Sequence, residues 1–202
     1  MLGKLIVFEG PDGVGKSTFV RYLRELLQEK QVPNESVSFP GDRSGTIGKL
    51  VYDLHHTPEN FGLKRISPVG LQALHVAAHL DAITQIILPA IDLGRWVVLD
   101  RFWWSTWVYG RAAGIDPKVL DSLVYTERLQ WGQCVPSVVF LIQRVKPFGD
   151  KPRGSEFATL SNLYGDLSTS EAGNYEIVTI ADAGYEAACE IVGQWVNKKA
   201  TT

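Results

Sequence analysis

Cysteine is scarce in these 202 residues, where Cys134 and Cys189 stand far apart. They form neither a CxxC pair nor a disulfide framework, a usage that fits a reducing compartment. Excess charge of either sign is missing too. Twenty Lys and Arg against twenty-two Asp and Glu leave a formal charge of −2, without the basic surplus that a sequence-independent grip on nucleic acid needs. Nucleic acid is therefore not an expected partner. The opening apolar run, Leu5-Ile6-Val7-Phe8, stops at Glu9, too short for a signal-peptide core, and no 18-residue membrane span is read. The expectation is a soluble, cytoplasmic protein with no membrane partner. Internal repeats and low-complexity tracts are also lacking. What remains is 45% hydrophobic and 21% charged, enough apolar material for a real core in one domain spanning 1–202.

Short apolar runs alternate with helix-period segments, which predicts an α/β three-layer fold: a five-stranded parallel sheet with helices on both faces. The predicted strands are Lys4 to Phe8, Ser36 to Phe39, Trp96 to Leu99, Ser137 to Ile142 and Tyr175 to Ile180. Predicted helices cover Lys16 to Lys30, Ser67 to Asp92 with a break at Pro89, Trp104 to Ala113, Pro117 to Trp131 and Tyr185 to Asn197. Arg144 to Ser155 holds Lys146, Lys151 and Arg153 among prolines and glycines and reads as a short basic lid, with a plain solvated connection as the alternative.

Chemistry enters at Gly10-Pro11-Asp12-Gly13-Val14-Gly15-Lys16-Ser17, a G-x-x-x-x-G-K-S match set between a strand and a helix. Such a match arises by chance in on the order of one per cent of chains this long. Gly10, Gly13 and Gly15 let the backbone curl so that successive N–H groups point inward. The helix that follows, with Ser17 and Thr18 in its first turn, adds the positive end of its dipole. Lys16 is placed to reach the β and γ phosphates of ATP, and the Ser17 hydroxyl to ligate Mg²⁺. The expected architecture is thus a P-loop NTPase fold, which by itself names no reaction. A Ras-like GTPase would need Asn-Lys-x-Asp, and the only Asn-Lys, Asn197-Lys198, is followed by Lys199 and Ala200.

Three further segments fall at strand ends, where an open α/β sheet places its ligands: Phe39 to Gly48, Val98 to Phe102 and Ser105 to Tyr109. With Phe8-Glu9-Gly10-x-Asp12-Gly13-x-Gly15-Lys16-Ser17-Thr18 and Asp100-Arg101-Phe102, the chain resembles the thymidylate kinase family of nucleoside monophosphate kinases over nearly its whole length. The resemblance implies transfer of the ATP γ-phosphate to a deoxynucleoside monophosphate, foremost dTMP giving dTDP, with Mg²⁺ as cofactor. It implies a phosphate clamp from Arg43 and Arg101, whose guanidinium forks suit phosphate oxygens; a surface ion pair is the plain alternative for both. It further implies a loop carboxylate, Asp12, near the acceptor sugar. Asp100 would orient Mg²⁺, and Ser105, Thr106 and Tyr109 would lie beside the acceptor, with Tyr109 disfavouring a 2′-hydroxyl. Gly13 stands where some members carry a loop Arg, so the lid is expected to supply the catalytic cation, with Arg153 first and Lys151 and Lys146 behind. Pairing into a homodimer follows from the resemblance as well.

The base pocket departs from the pattern. Counting back from Asp100, the family's stacking Phe and the base-reading Arg four residues later fall on Val76 and Leu80. Trp103, Trp104, Trp107, His75 and His79 are available substitutes, so the pocket is read as rebuilt. His75-x-x-x-His79 can also bind metal, but no third ligand is evident and zinc is disfavoured. The alternatives are a kinase for another or modified deoxypyrimidine monophosphate, a deoxynucleoside kinase using Glu9 or Asp12 as base, and a non-catalytic nucleotide-binding module.

Overall fold

Five short strands, each bounded by turn residues, form one sheet: β1 (Leu5–Glu9), β2 (Asn34–Ser38), β3 (Trp96–Asp100), β4 (Val138–Gln143) and β5 (Ile177–Ala181). The structure, a computed structural model, describes residues 3–148, 155–182 and 184–200. All pairings are parallel, in the order β2-β3-β1-β4-β5. β1 and β3 are buried throughout, as continuous apolar runs require in a sheet covered on both faces. Register sets Phe8 beside Asp100 and Glu9 beside Leu141. The carboxyl ends of the three central strands therefore finish together, at the point where the strand order reverses around β1 and where such sheets bind ligands.

The helices are α1 (Lys16–Glu29), α2 (Ile47–His56), α3 (Pro68–Ala82), α4 (Leu88–Asp92), α5 (Trp103–Ala112), α6 (Pro117–Trp131), α7 (Ser155–Glu171) and α8 (Tyr185–Ala200). Alternation along β1 divides the core in two. Ile6 and Phe8 pack with Phe19, Leu23 and Leu27 of α1 and with Val192 and Trp195 of α8. Leu5 and Val7 face the other way, toward Trp104, Val108, Val124 and Leu160. The strands and five predicted helices are present within a few residues of their expected ends. Two helices were not expected. α2 begins at Thr46, whose hydroxyl accepts from Lys49 N, and α7 buries Phe157, Leu160, Tyr164 and Leu167 along one stripe.

The predicted helix from Ser67 to Asp92 is interrupted, but earlier than Pro89. Residues Ile83–Ile87 form a π-helical turn, and Pro89 lies in the first turn of α4. Proline lacks an N–H and its ring crowds the preceding turn, so the ladder widens just before it. Each i→i+5 closure takes up one residue more than an α turn, which rotates α3 relative to β3. The same stretch corrects the expectation about membrane spans: Pro68–Asp92 is long and apolar enough to cross a membrane by length and composition. Here it packs against α2, α5 and α6.

Candidate active site

The phosphate loop is built from backbone. Gly10, Gly13 and Gly15 have φ of 139°, 80° and 95°, a region that L-residues avoid. Space excludes a side chain too, since a Cβ at Gly10 would lie 2.4 Å from Ile142 O. Lys16 is buried and donates Nζ to Gly10 O and Pro11 O, both at 2.8 Å. Burial, with Arg101 nearby, pushes its pKa down to about 7 against the pull of Asp100, Asp12 and Glu9. Ser17 Oγ donates to Asp100 Oδ2 at 2.8 Å, which sets two hard oxygens side by side in the manner that Mg²⁺ favours. Residues 144–148 strap the loop from outside, with Arg144 Nε donating to Val14 O at 3.0 Å and Phe148 N to Gly13 O at 2.8 Å.

Next to the loop, Arg101 carries a φ of 75° between β3 and α5, a left-handed conformation that costs of order 1–2 kcal/mol for a residue with a side chain. Glu9 holds this corner. Phe102, the N-cap of α5, offers no side-chain cap; Glu9 Oε1 reaches across from β1 and accepts from Phe102 N at 2.7 Å and Ser105 N at 3.1 Å. Its Oε2 accepts from Ser105 Oγ at 2.8 Å and Tyr164 OH at 3.1 Å. A helix N-terminus suits an anion, although full burial raises the Glu9 pKa against the opposing pull of Arg101 and these hydrogen bonds. Ser105 Oγ in turn accepts from Arg101 at 2.9 Å. Arg101 pairs with Asp12 Oδ1 at 2.5 Å and lies over the Tyr109 ring, and Tyr109 OH donates to Asp12 Oδ2 at 3.0 Å. Asp12, Arg101, Ser105 and Tyr109 are thus one connected group. Sequence reasoning missed this use of Glu9. Shielded from solvent and saturated with donors, it is no candidate base for a sugar hydroxyl.

One cavity of about 1090 Å³ runs from the loop past Arg101 to a wall formed by α3, where Gln72, His75 and His79 line it. Ser105, Thr106 and Tyr109 line it between these ends. Val76 and Leu80 do not belong to this lining, and Val76 is buried at 4% exposure. His75 and His79, which do line the cavity, each fall one position before the places that counting back from Asp100 gave. His79 Nδ1 lies 2.8 Å from Glu127 Oε2 inside the protein, and its ring stacks on Phe39 at 3.9 Å between centroids. His75 sits between His55 and His79 at 5.3 and 6.3 Å. Burial first, then its histidine neighbours, push its pKa down to about 3, so it is neutral. Among the described residues no His, Cys, Asp and Glu cluster could hold a metal ion.

Other expected site residues lie elsewhere. Arg43 is half-exposed, bound to Glu35 Oε1 at 2.6 Å, and does not line the cavity. Trp103 and Trp104 are core residues, and Trp107 turns its Nε1 to Asp121 at 3.3 Å. Lys146 is exposed, whereas Lys151 and Arg153 lie outside the described residues. α7 adds Glu156, Thr159 and Leu160 to the lining. The polar residues Gln72, His75 and His79, at helical spacing in an otherwise apolar segment, were the sequence signal for the α3 wall.

A thymidylate kinase of Akkermansia muciniphila is 38% identical over 118 residues, which cover 58% of this chain and 53% of that protein, so the chain spans about half that relative's length. A thymidylate kinase of Chlorobium phaeobacteroides is 29% identical over 186 residues, 90% of this chain and 80% of the relative. The crystal structure of thymidylate kinase from Ehrlichia chaffeensis has the same fold, with a TM-score of 0.74 and 21% identity over 99% of this chain and all of the other. The thymidylate kinase family model matches residues 8–156, and the chain belongs to that family.

Proposed function

We propose that this protein is an ATP-dependent kinase that phosphorylates dTMP to dTDP. The observation that carries this reading is the single cavity joining the phosphate loop to Arg101 and then to a polar wall on α3. Its volume is large for one small ligand and suits a triphosphate and a nucleotide end to end. Phosphoryl transfer needs alignment and charge neutralisation more than covalent chemistry. In this reading Gly10, Gly13, Gly15, Ser17 and Thr18 cradle the donor phosphates and Lys16 turns its ammonium from the loop carbonyls to them. Arg101, held by Asp12 and Ser105, takes the acceptor phosphate. Thr106 and Tyr109 flank the sugar and base. Ser17 and Asp100 are the oxygens that would hold Mg²⁺, which when bound neutralises charge on the phosphates. Arg43 joins the clamp only by leaving Glu35, a small cost for an exposed ion pair. The catalytic cation of the lid, 144–155, is assigned to Arg153.

The nucleoside-kinase alternative loses its best base with the burial of Glu9. The whole chain works as one cytoplasmic domain, in keeping with its near-neutral charge, without membrane or nucleic acid partners. A homodimer is also proposed, because Ile47 and Leu50 of α2 and Val69 of α3 stay exposed on adjacent helices; sedimentation as a monomer at micromolar concentration would remove it. The test of function is transfer from Mg·ATP to a panel of ribo- and deoxynucleoside monophosphates and their nucleosides, with products resolved by chromatography. Preferential formation of dTDP is expected. Phosphorylation of thymidine instead, or ATP binding with no transfer, would overturn the reading.

A further inference from the structure

Three buried polar atoms on the cavity lining have no hydrogen-bond partner: Gln72 Oε1, His75 Nε2 and Thr106 Oγ1. Gln72 is 6% exposed, and an unpaired buried oxygen is costly enough that native proteins rarely keep one without a use. Its setting sharpens the contrast. Gln72 and His75 share one face of α3 at i,i+3 spacing, and His79, one turn further along, has Glu127 as its partner. The protein has satisfied the deep end of this face and left the cavity end unsatisfied. Thr106 approaches from α5, which packs against α3.

We propose that Gln72 reads the acceptor base, its Oε1 accepting the N3–H of a pyrimidine imide while its amide N–H donates to the adjacent carbonyl. This inference rests on the reading of the acceptor as dTMP. The edge of thymine or uracil presents one donor between two acceptors, and a primary amide offers the complementary acceptor and donor side by side. Neutral His75 and the Thr106 hydroxyl flank this pair as further hydrogen-bonding groups. With the amide in this orientation, cytosine, which carries a lone pair in place of the N3 proton, would set two acceptors face to face. An N3-methyl group removes the donor outright.

The test compares kcat/KM of the wild type and Gln72→Leu with dTMP, N3-methyl-dTMP and dCMP. The wild type should prefer dTMP over the N3-methyl compound by tenfold or more. Gln72→Leu should lose about 10- to 100-fold on dTMP, the size of one buried hydrogen bond, and bring dTMP and N3-methyl-dTMP within about threefold of each other, with KM for ATP unchanged. The unliganded variant should melt no lower than the wild type, because the unpaired oxygen is gone, while the melting shift induced by dTMP shrinks. A lower melting temperature with equal loss on every acceptor would make Gln72 structural and overturn the proposal. So would a variant that still discriminates against N3-methyl-dTMP. If the wild type transfers nothing to dTMP, the proposed function falls, and the dTMP-induced melting shift still reads the Gln72 contact by itself.

Discussion

The two ends of the cavity are made of different material. At the phosphate end, glycines with positive φ and the amino end of α1 present backbone groups from a single run of residues, Gly10 to Thr18. At the far end, side chains from α3 meet α5, with Glu127 of α6 behind them. Backbone sites tolerate change in surrounding side chains but not in the loop's own residues. Side-chain sites depend on the register of each helix, and one inserted residue redirects a whole face. The wall can therefore be rebuilt while the loop stays fixed.

The sharpest way to break this contrast is Lys16→Ala, which removes one cation from the phosphate end alone. Transfer should fall about 100- to 1000-fold, while dTMP binding by calorimetry stays within threefold; loss of both would show that the ends are not separable. Glu9→Gln tests the corner between them. The amide puts an NH₂ donor among groups that already donate, leaving buried N–H groups unpaired at a cost of about 1–3 kcal/mol. At about 2–4 °C per kcal/mol, thermal melting should drop by roughly 2–12 °C, with transfer impaired because Arg101 loses its support.

A smaller effect concerns pH. With its pKa near 7 in the free protein, Lys16 is largely neutral at pH 8 to 9, and bound phosphates raise its pKa. ATP binding then takes up a proton, so affinity should weaken as pH rises from 7 to 9, by at most about tenfold per unit. Calorimetry in buffers of different ionisation enthalpy should register that uptake near pH 8. A pH-independent affinity with no proton uptake would place the Lys16 pKa well above this range. The smallest effect sharpens the acceptor side. Arg43→Ala should leave stability within about 0.5 kcal/mol and raise KM for dTMP less than Arg101→Ala does. An equal rise would mean that Arg43 leaves Glu35 and shares the phosphate fully.

What could be read from sequence follows the same division. The strands were legible because runs such as Leu5 to Phe8 and Val138 to Ile142 have few other uses, and the phosphate loop because its residues are contiguous. α7 was missed because its stripe of Phe157, Leu160, Tyr164 and Leu167 follows a basic loop that hides its start. α2, whose only fully buried side chain of any size is Val51, carries a weak pattern. The α3 wall failed for a different reason. Counting back from Asp100 by the family's spacing reached Val76 and Leu80, whereas the lining takes His75 and His79, one position earlier, and side chains one position apart on a helix point to different faces. The role of Glu9 depends on contacts 93 to 155 residues away in the chain, which no local pattern reports.

The most direct measurement is a crystal structure of the protein with dTMP bound. The phosphate should lie on Arg101, the sugar beside Tyr109 and the base edge within hydrogen-bond distance of Gln72. A base seated at the phosphate loop, or a phosphate bound on the α3 wall, would contradict this arrangement.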